Sequence, residues 1–435
     1  MANRRLQPEV VVVGAGPAGI AAACMAAENG RKVAVADNSP WLGGQIWRGA
    51  TAHSGRGLAG HWFDRLQKSG VSVFSNATAF AAPASHVLLV ETPDGVLELN
   101  WNKLILATGA RERFLPFPGW TLPGVVGPGG LYAMVKSGWP VAGKRVVVAG
   151  SGPLLLAAAD GLKQADARVG LVAEQADWGK VLRFGLSLWR YPGKLLQGVG
   201  MKARLVGVPY RCGCWPVKAK GTARVQSVTL TNGLASWSED CDYLACGFHL
   251  VPNVELPCLL GCDLANGFVR VDEFQLTSVP DVFCAGEPTG IGGADCALVE
   301  GQVAGLAAAG AEDQAQTLFG LRAAWHRFRT SLNQAFVLRP ELRHLATADT
   351  FVCRCEDVRF VDLKGCESSR AARLHTRCGM GSCQGRTCGA AVEFLFGWEN
   401  DSVRPPLFPV RLASLIDESF QLNKNPLETN KSLPS

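Results

Sequence analysis

Residues 10–13 are four consecutive valines, and they run into Gly14, Ala15, Gly16, Pro17, Ala18 and Gly19 before the small apolar run 20–27. Unbroken β-branched residues predict a strand buried on both faces, and the small residues behind the turn predict a helix. A second strand is predicted at 32–36, ending in Asp37. Short alternating strands at 71–100, turning at Pro93, Asp94 and Gly95, read as an antiparallel insertion. Another apolar strand at 103–107 leads into Thr108, Gly109 and Ala110. The pattern then repeats, with a strand at 146–149, a turn through Gly150, Ser151, Gly152 and Pro153, a helix at 154–163, and a strand at 168–173 closing on Glu174. This is an internal duplication of one strand–turn–helix–strand unit. Further on, a strand from Asp281 ends in Gly286 and Glu287, and an alanine-rich helix is predicted at 294–309. An amphipathic helix at 318–332 leaves this core, and 333–349 reads as a linker. Residues 178–191, with Trp178, Trp189 and several arginines, read as an interface helix or as ordinary packing, the latter being the expectation.

The glycine turns carry a definite chemistry. Gly14 permits the tight turn, Gly16 lets backbone N–H groups approach a pyrophosphate, and Gly19 lets the helix pack closely on the strand. The positive end of that helix faces the phosphates. Asp37, 18 residues after Gly19, stands where an acid can accept hydrogen bonds from an adenosine ribose. A glycine pair in the stretch Gly43, Gly44, Gln45 lets backbone pass close to a cofactor. In the second copy Leu155 replaces the third glycine, so that helix packs less closely.

Length and composition bound the rest. At 435 residues the chain exceeds one ordinary core, and two or three domains of about 100–200 residues are expected. Nearly half the residues are hydrophobic, which marks a globular protein. The net charge of +6 reads as spread along the chain without a run of five cations, which argues against nucleic-acid binding. The apolar start is interrupted by glycines in the pattern of a nucleotide loop and is read as fold, not leader. No membrane span is expected. His53, His61 and His86 have no obvious partners. The 15 cysteines read as reduced thiols of a cytoplasmic protein together with a metal site, and Cys212, Cys214, Cys241, Cys246, Cys258 and Cys262 read as inert.

From Phe351 the cysteines concentrate. Cys353, Arg354 and Cys355 open a segment that closes on Cys378, Gly379, Met380, Gly381, Ser382, Cys383, Gln384, Gly385, Arg386, Thr387 and Cys388. Five thiols in two glycine-loosened motifs can hold zinc or an iron–sulfur cluster, since both take four tetrahedrally disposed sulfurs.

The GAGPAG turn, the acid closing the second strand, the GGQ stretch and the segment Ala107, Thr108, Gly109, Ala110 together resemble the two-dinucleotide-domain flavoproteins. That resemblance implies FAD held by Gly14, Ala15, Gly16, Pro17, Ala18, Gly19 and Asp37. It further implies that Gly43, Gly44, Gln45, Ala107, Thr108, Gly109, Gly286 and Glu287 line the site, with Glu287 replacing the aspartate that usually receives the flavin ribityl chain. It implies NAD(P)H or another nucleotide at Gly150, Gly152 and Glu174, or a retained scaffold. Disulfide reductases of this fold place a redox cysteine pair beyond the glycine pair, and none stands here. The CxC and CGMGxCQGRxC motifs resemble the bacterioferritin-associated-ferredoxin type of [2Fe–2S] domain. By that resemblance Cys353, Cys355, Cys383 and Cys388 are ligands and Cys378 is spare. The interval between the motifs is shorter than in that domain type, which leaves an exchange of Cys378 for Cys383 open.

The expected fold class is therefore α/β, a Rossmann-like flavoprotein with parallel sheets and a small C-terminal [2Fe–2S] domain. The expected domains are 1–143 with 267–332 for FAD, 144–266 for the second nucleotide, 350–400 for the cluster, and a tail at 401–435. Over almost its full length the chain resembles one component of the heteromeric amino-acid dehydrogenases, the family that includes the FAD/[2Fe–2S] components of opine oxidase, D-hydroxyproline dehydrogenase and hydrogen cyanide synthase. The resemblance implies a partner flavoprotein that oxidises the amino acid, with room for a small third subunit and for an FMN at a subunit interface. It implies membrane association only through partners or the acceptor. No residue is an evident acid or base for amine oxidation, consistent with a relay role. The rival readings are a self-contained NAD(P)H-dependent FAD oxidoreductase and a zinc-binding scaffold or sensor.

Overall fold

The computed structural model describes residues 4–48, 57–399 and 403–416. His53 and the ends of the expected tail lie outside them. The chain divides into two compact units, one of residues 1–109, 252–325 and 403–435, the other of residues 110–251 and 326–402.

The first unit is organised by a five-stranded parallel sheet, in the order Val282–Cys284, Lys103–Leu106, Val10–Val13, Val33–Ala36, Ser72–Phe74. Alternation along the central strand explains the four valines. Val10 and Val12 join a core with the helix Pro17–Glu28, while Val11 and Val13 join one with the antiparallel strands Thr78–Ala81, Val87–Thr92 and Gly95–Asn100. Neither face of the sheet meets water, so period-2 polarity is absent from the strand. Ser72–Phe74, expected within the antiparallel insertion, instead pairs parallel to Val33–Ala36. The helices Pro17–Glu28 and Gly293–Ala308 pack closely because the second offers glycines: a Cβ on Gly301 would stand 2.1 Å from the Ala18 carbonyl oxygen, and one on Gly305 2.3 Å from that of Ala22.

The second unit repeats the plan. Its parallel sheet runs Val125–Val126, Tyr243–Phe248, Arg145–Ser151, Arg168–Glu174, Tyr210–Cys212. The helix Pro153–Gln164 covers one face, and the antiparallel strands Trp215–Lys220, Ser227–Thr231 and Ser236–Asp240 cover the other.

The unit bounds differ from the expected domain bounds for reasons of packing. Leu115, Phe117, Trp120 and Val125 are buried in the core of the second unit, so 110–143 goes with it. Leu256 and Cys262 are buried in the first. The expected linker is not one: the amphipathic helix continues to Ala335, and Phe336, Leu342 and Leu345 are buried. The cysteine segment has a small core of Val352, Val358, Leu363, Ala372 and Val392, and the Trp120 indole N–H donates to the Phe351 carbonyl at 2.6 Å. In the tail, Leu407 is buried, its N–H donating to Phe80, and Arg411 and Ser414 both bond the Glu91 carboxylate.

Two expectations are corrected outside the candidate sites. His86 bonds Ser85 at 2.8 Å, reaches Asp281 at 3.4 Å, and lies tilted against Trp101 with ring centroids 4.4 Å apart. Residues 178–206 form two surface helices, Trp178–Ser187 and Pro192–Arg204, with no fully buried residue in either, so the expected packing rests on Phe184 and Tyr191.

Candidate cofactor sites

In the first unit the strands at 10–13, 33–36, 103–106 and 282–284 all end at one edge, and the candidate cofactor residues follow from those ends. Parallel strands put their ligand crevice there. Gly14, at φ +104°, presses against the Ala107 carbonyl, where a Cβ would stand 2.2 Å from the oxygen. Gly19 leaves 1.8 Å between a would-be Cβ and the Gly14 carbonyl. Gly16 differs, because a Cβ there would meet nothing within 4 Å. The first and third glycines are thus demanded by the fold, while the second faces open space. Helix Pro17–Glu28 begins at Gly16 with no side-chain cap and no acid in its first turn, leaving its N–H groups to a ligand. Those groups and the open face of Gly16 fit a dinucleotide phosphate.

The neighbouring loops converge on this turn. Gly43 donates its N–H to Ala15 at 2.7 Å, and a Cβ on Gly44 would lie 3.1 Å from the Gly16 Cα. Gln45 is exposed. Thr108 is locked by Asn253, which takes the Thr108 hydroxyl proton on its carbonyl at 2.6 Å and donates its side-chain amide back at 2.8 Å. Gly109 adopts φ +70°. Gly286, at φ +84°, has Ala18 for a neighbour and donates its N–H to the buried Glu300 carboxylate at 2.8 Å.

The two acids hold protein groups. Asp37 accepts from the Ala15 N–H at 2.5 Å and the Ser39 N–H at 2.7 Å. Glu287 accepts from the Gly292 and Gly293 N–H groups, at the head of helix Gly293–Ala308. Both therefore tie together the loops that line the crevice.

The second unit reproduces the crossing with different substituents. A Cβ on Gly150 would lie 1.8 Å from the Gly247 carbonyl oxygen, and Gly152 faces open space at φ +103°. Glu174 is wholly buried, accepting from Gly152 at 2.7 Å and Ala176 at 2.8 Å, and burial lifts its pKa to about 7. Leu155 is fully buried among Leu131, Val141 and Val146, so the space a closely packed glycine helix would leave is filled. Glu112 also holds a helix start here, accepting from Gly129 and Gly130 below helix Pro128–Lys136, with burial raising its pKa.

The cysteine motifs meet in the second unit. The sulfurs of Cys353, Cys378 and Cys388 lie within 4.8 Å of one another, all buried. Cys383 is in hydrogen-bond contact with Cys388 and with Cys355, so all five thiols form one connected group. Backbone N–H groups of Gly379 and Cys355 bond the Cys353 sulfur, and those of Thr387 and Gly385 bond Cys383. Gly379 and Gly385 adopt φ +81° and +78°, conformations suited to glycine. Gly381 has no room for a side chain, since a Cβ would stand 2.4 Å from that of Cys355. The bond from Cys378 holds the Cys353 thiol far below its ordinary pKa, and the bond from Cys388 lowers Cys383 to about 4. Cys378 itself is pushed up to about 12. Thiols in mutual contact, with N–H groups aimed at sulfur, fit a thiolate-bound metal or cluster. Cys378, expected to be spare, sits inside this group, while a sixth cysteine of the segment, Cys366, is not among the three mutually close sulfurs. Cys212, Cys214, Cys241, Cys246 and Cys258 have pKa values raised by burial, as inert thiols should.

What sequence reading missed are the braces: Glu300, Asn253 and Glu112. Glu300, one turn above Cys296 in an alanine-rich helix, is signalled by an acid in an otherwise apolar run. Asn253 has no such signal.

Duplicated parallel-sheet units with glycine crossings at the strand ends define a two-dinucleotide-domain oxidoreductase of the flavoprotein class. The chain belongs to the pyridine nucleotide-disulphide oxidoreductase family, whose pattern matches residues 8–305. Among characterised proteins it is similar to the HcnB component of hydrogen cyanide synthase from Pseudomonas aeruginosa, 31% identical over 87% of this chain and 90% of that protein. It is likewise similar to a component of the opine oxidase of Rhizobium meliloti, 30% identical over 94% of this chain and 98% of that one. The L-proline dehydrogenase structure from P. horikoshii shares the fold, with a TM-score of 0.67 and 21% identity over 95% of this chain and 80% of that one. Despite the family's name, no cysteine stands between Cys24 and Cys212.

Proposed function

We propose that this chain is the electron-relay subunit of a heteromeric amino-acid or imino-acid dehydrogenase. FAD would be held by the turn at 14–19 with Gly43, Gly44, Thr108, Gly109 and Gly286. A [2Fe–2S] cluster would be held by Cys353, Cys355, Cys383 and Cys388. The observation that carries the reading is the convergence of five thiols in a chain that also has a dinucleotide crevice. A bound flavin accepts electrons in pairs and a bound cluster passes them singly, so a chain holding both converts paired transfer into single transfer. The protein's own groups bind and orient: the uncapped N–H groups at Gly16 receive phosphate, Asn253 and Glu300 fix the lining loops, and the N–H groups around Cys353 and Cys383 stabilise thiolate charge. The relatives' names, each denoting one part of a larger enzyme, support a partner that performs the oxidation.

Purification of the intact chain with iron supplied tests the reading. Visible absorption from flavin and cluster is expected, with serine at Cys353 or Cys388 removing iron; iron retention in Cys383→Ser with loss in Cys378→Ser would put Cys378 in the place of Cys383. A colourless protein loaded with zinc, or full iron retention in Cys388→Ser, would overturn the ligand assignment. Co-purification with a second flavoprotein encoded alongside is expected. Rapid flavin reduction by NADH in the isolated chain would favour the self-contained reductase instead, against which the buried Glu174 and Leu155 argue.

A further inference from the structure

We propose that the helix pair formed by residues 178–206 is a docking surface for an anionic lipid bilayer. The proposal stands independently of the relay reading. Trp178, Leu182 and Leu186 follow the spacing of one face of the first helix, Trp189 stands in the 3-10 turn Leu188–Arg190 that follows it, and the four are exposed by 62%, 48%, 67% and 67%. Leu196 and Val199 of the second helix are likewise exposed. The opposite side is fastened to the body, with Phe184 packed on Phe328 and Phe336, and Tyr191 on Phe328. The apolar residues of the two consecutive helices are therefore exposed, while Phe184 and Tyr191 hold the segment to the body.

Charge selects the occupant. Residues 178–206 contain Lys180, Arg183, Arg190, Lys194, Lys202 and Arg204 and no acid, while the rest of the chain has equal numbers of Lys plus Arg and Asp plus Glu. The net +6 is thus not spread along the chain, as the lack of cation runs implied; it equals the charge of this segment. Arg204 is engaged by Asp160 and Lys202 lies over Tyr210, but Lys180, Arg183 and Arg190 are exposed beside the stripe. Protein interfaces share the enrichment in Trp and Arg but are depleted in lysine, which stands here at Lys180, Lys194 and Lys202. The acid nearest the stripe, Asp177 at the first helix's N-cap, is paired with Arg339, and apolar and aromatic side chains beside cations are the signature of helices that lie in a membrane interface. No helix of the described residues is long and apolar enough to cross a membrane, so the contact is with one leaflet.

Co-sedimentation of the full chain with phosphatidylcholine vesicles, with and without phosphatidylglycerol, tests this. Binding is expected only with phosphatidylglycerol and is expected to fall as salt rises. Lys180→Gln, Arg183→Gln and Arg190→Gln combined should weaken partitioning by about fivefold per charge removed. Trp178→Ser with Trp189→Ser should abolish it with unchanged circular dichroism. Should that pair misfold, Leu196→Ser with Val199→Ser probes the other helix, and a substantial loss of binding is expected. No binding to phosphatidylglycerol vesicles, or equal binding by the variants, overturns the proposal. So does a lipid-free result in which the apolar variants lose only self-association or co-elution with another protein of the complex, which would make the face a protein interface.

Discussion

Gly16 and Gly19 divide the work of one motif between folding and binding. A methyl at Gly19 would stand 1.8 Å from the Gly14 carbonyl, so Gly19→Ala is expected to destabilise the unit by about 1–3 kcal/mol or more, read as a lowered denaturant midpoint. Gly16 has extended dihedrals and open space, so Gly16→Ala should fold with an unchanged midpoint yet retain far less flavin on gel filtration. Glu174 offers a pH test. Its pKa is raised in the folded state, so its stabilising share is complete below the unfolded value near 4.5 and is lost as pH rises through about 7. Urea melts at about pH 5 and pH 8 should show a stability loss of up to roughly 3 kcal/mol that Glu174→Gln flattens. An identical pH slope in the variant would contradict the assignment.

At the scale of elements, legibility followed the range of the contact. The run from Val10 to Asp37 could be read directly because strand, turn and helix are neighbours in sequence and each imposes its own pattern. The second copy was readable for the same reason. The close crossing of Pro17–Glu28 on Gly293–Ala308 was not, since the glycines at 301 and 305 acquire meaning only when Ala18 and Ala22 lie opposite them. Asn253, which secures Thr108 from 145 positions away, left no local trace. The motif spacing groups Cys353 with Cys388, but the place of Cys378 beside them depends on how the glycine loop folds back. Gly305→Val should force the two helices apart and lower thermal stability, whereas Gly310→Ala, just beyond the helix, should act only through its φ of +81°. Comparing the two melts separates helix spacing from backbone strain.

For the whole molecule, the two compact units are assembled from interleaved segments, which is why boundaries drawn from motifs fell elsewhere than the boundaries of packing. The last described residues matter to the first unit: Leu407 is buried against its antiparallel strands, and Leu407→Ala is expected to cost about 2–5 kcal/mol, measured by equilibrium unfolding. A much smaller loss would show that the tail lies on that unit without supporting it.

That threading has a consequence during synthesis. The first 109 residues supply four strands of the parallel sheet, but the edge strand Val282–Cys284 and the covering helix Gly293–Ala308 leave the ribosome some two hundred residues later. At translation rates of about 5–20 residues per second, the unpaired sheet edge at Lys103–Leu106 and the bare flank of helix Pro17–Glu28 must wait for tens of seconds at the slower pace. The nascent chain thus has an interval of vulnerability written into its connectivity, one in which chaperone capture competes with aggregation before the flavoprotein half can close.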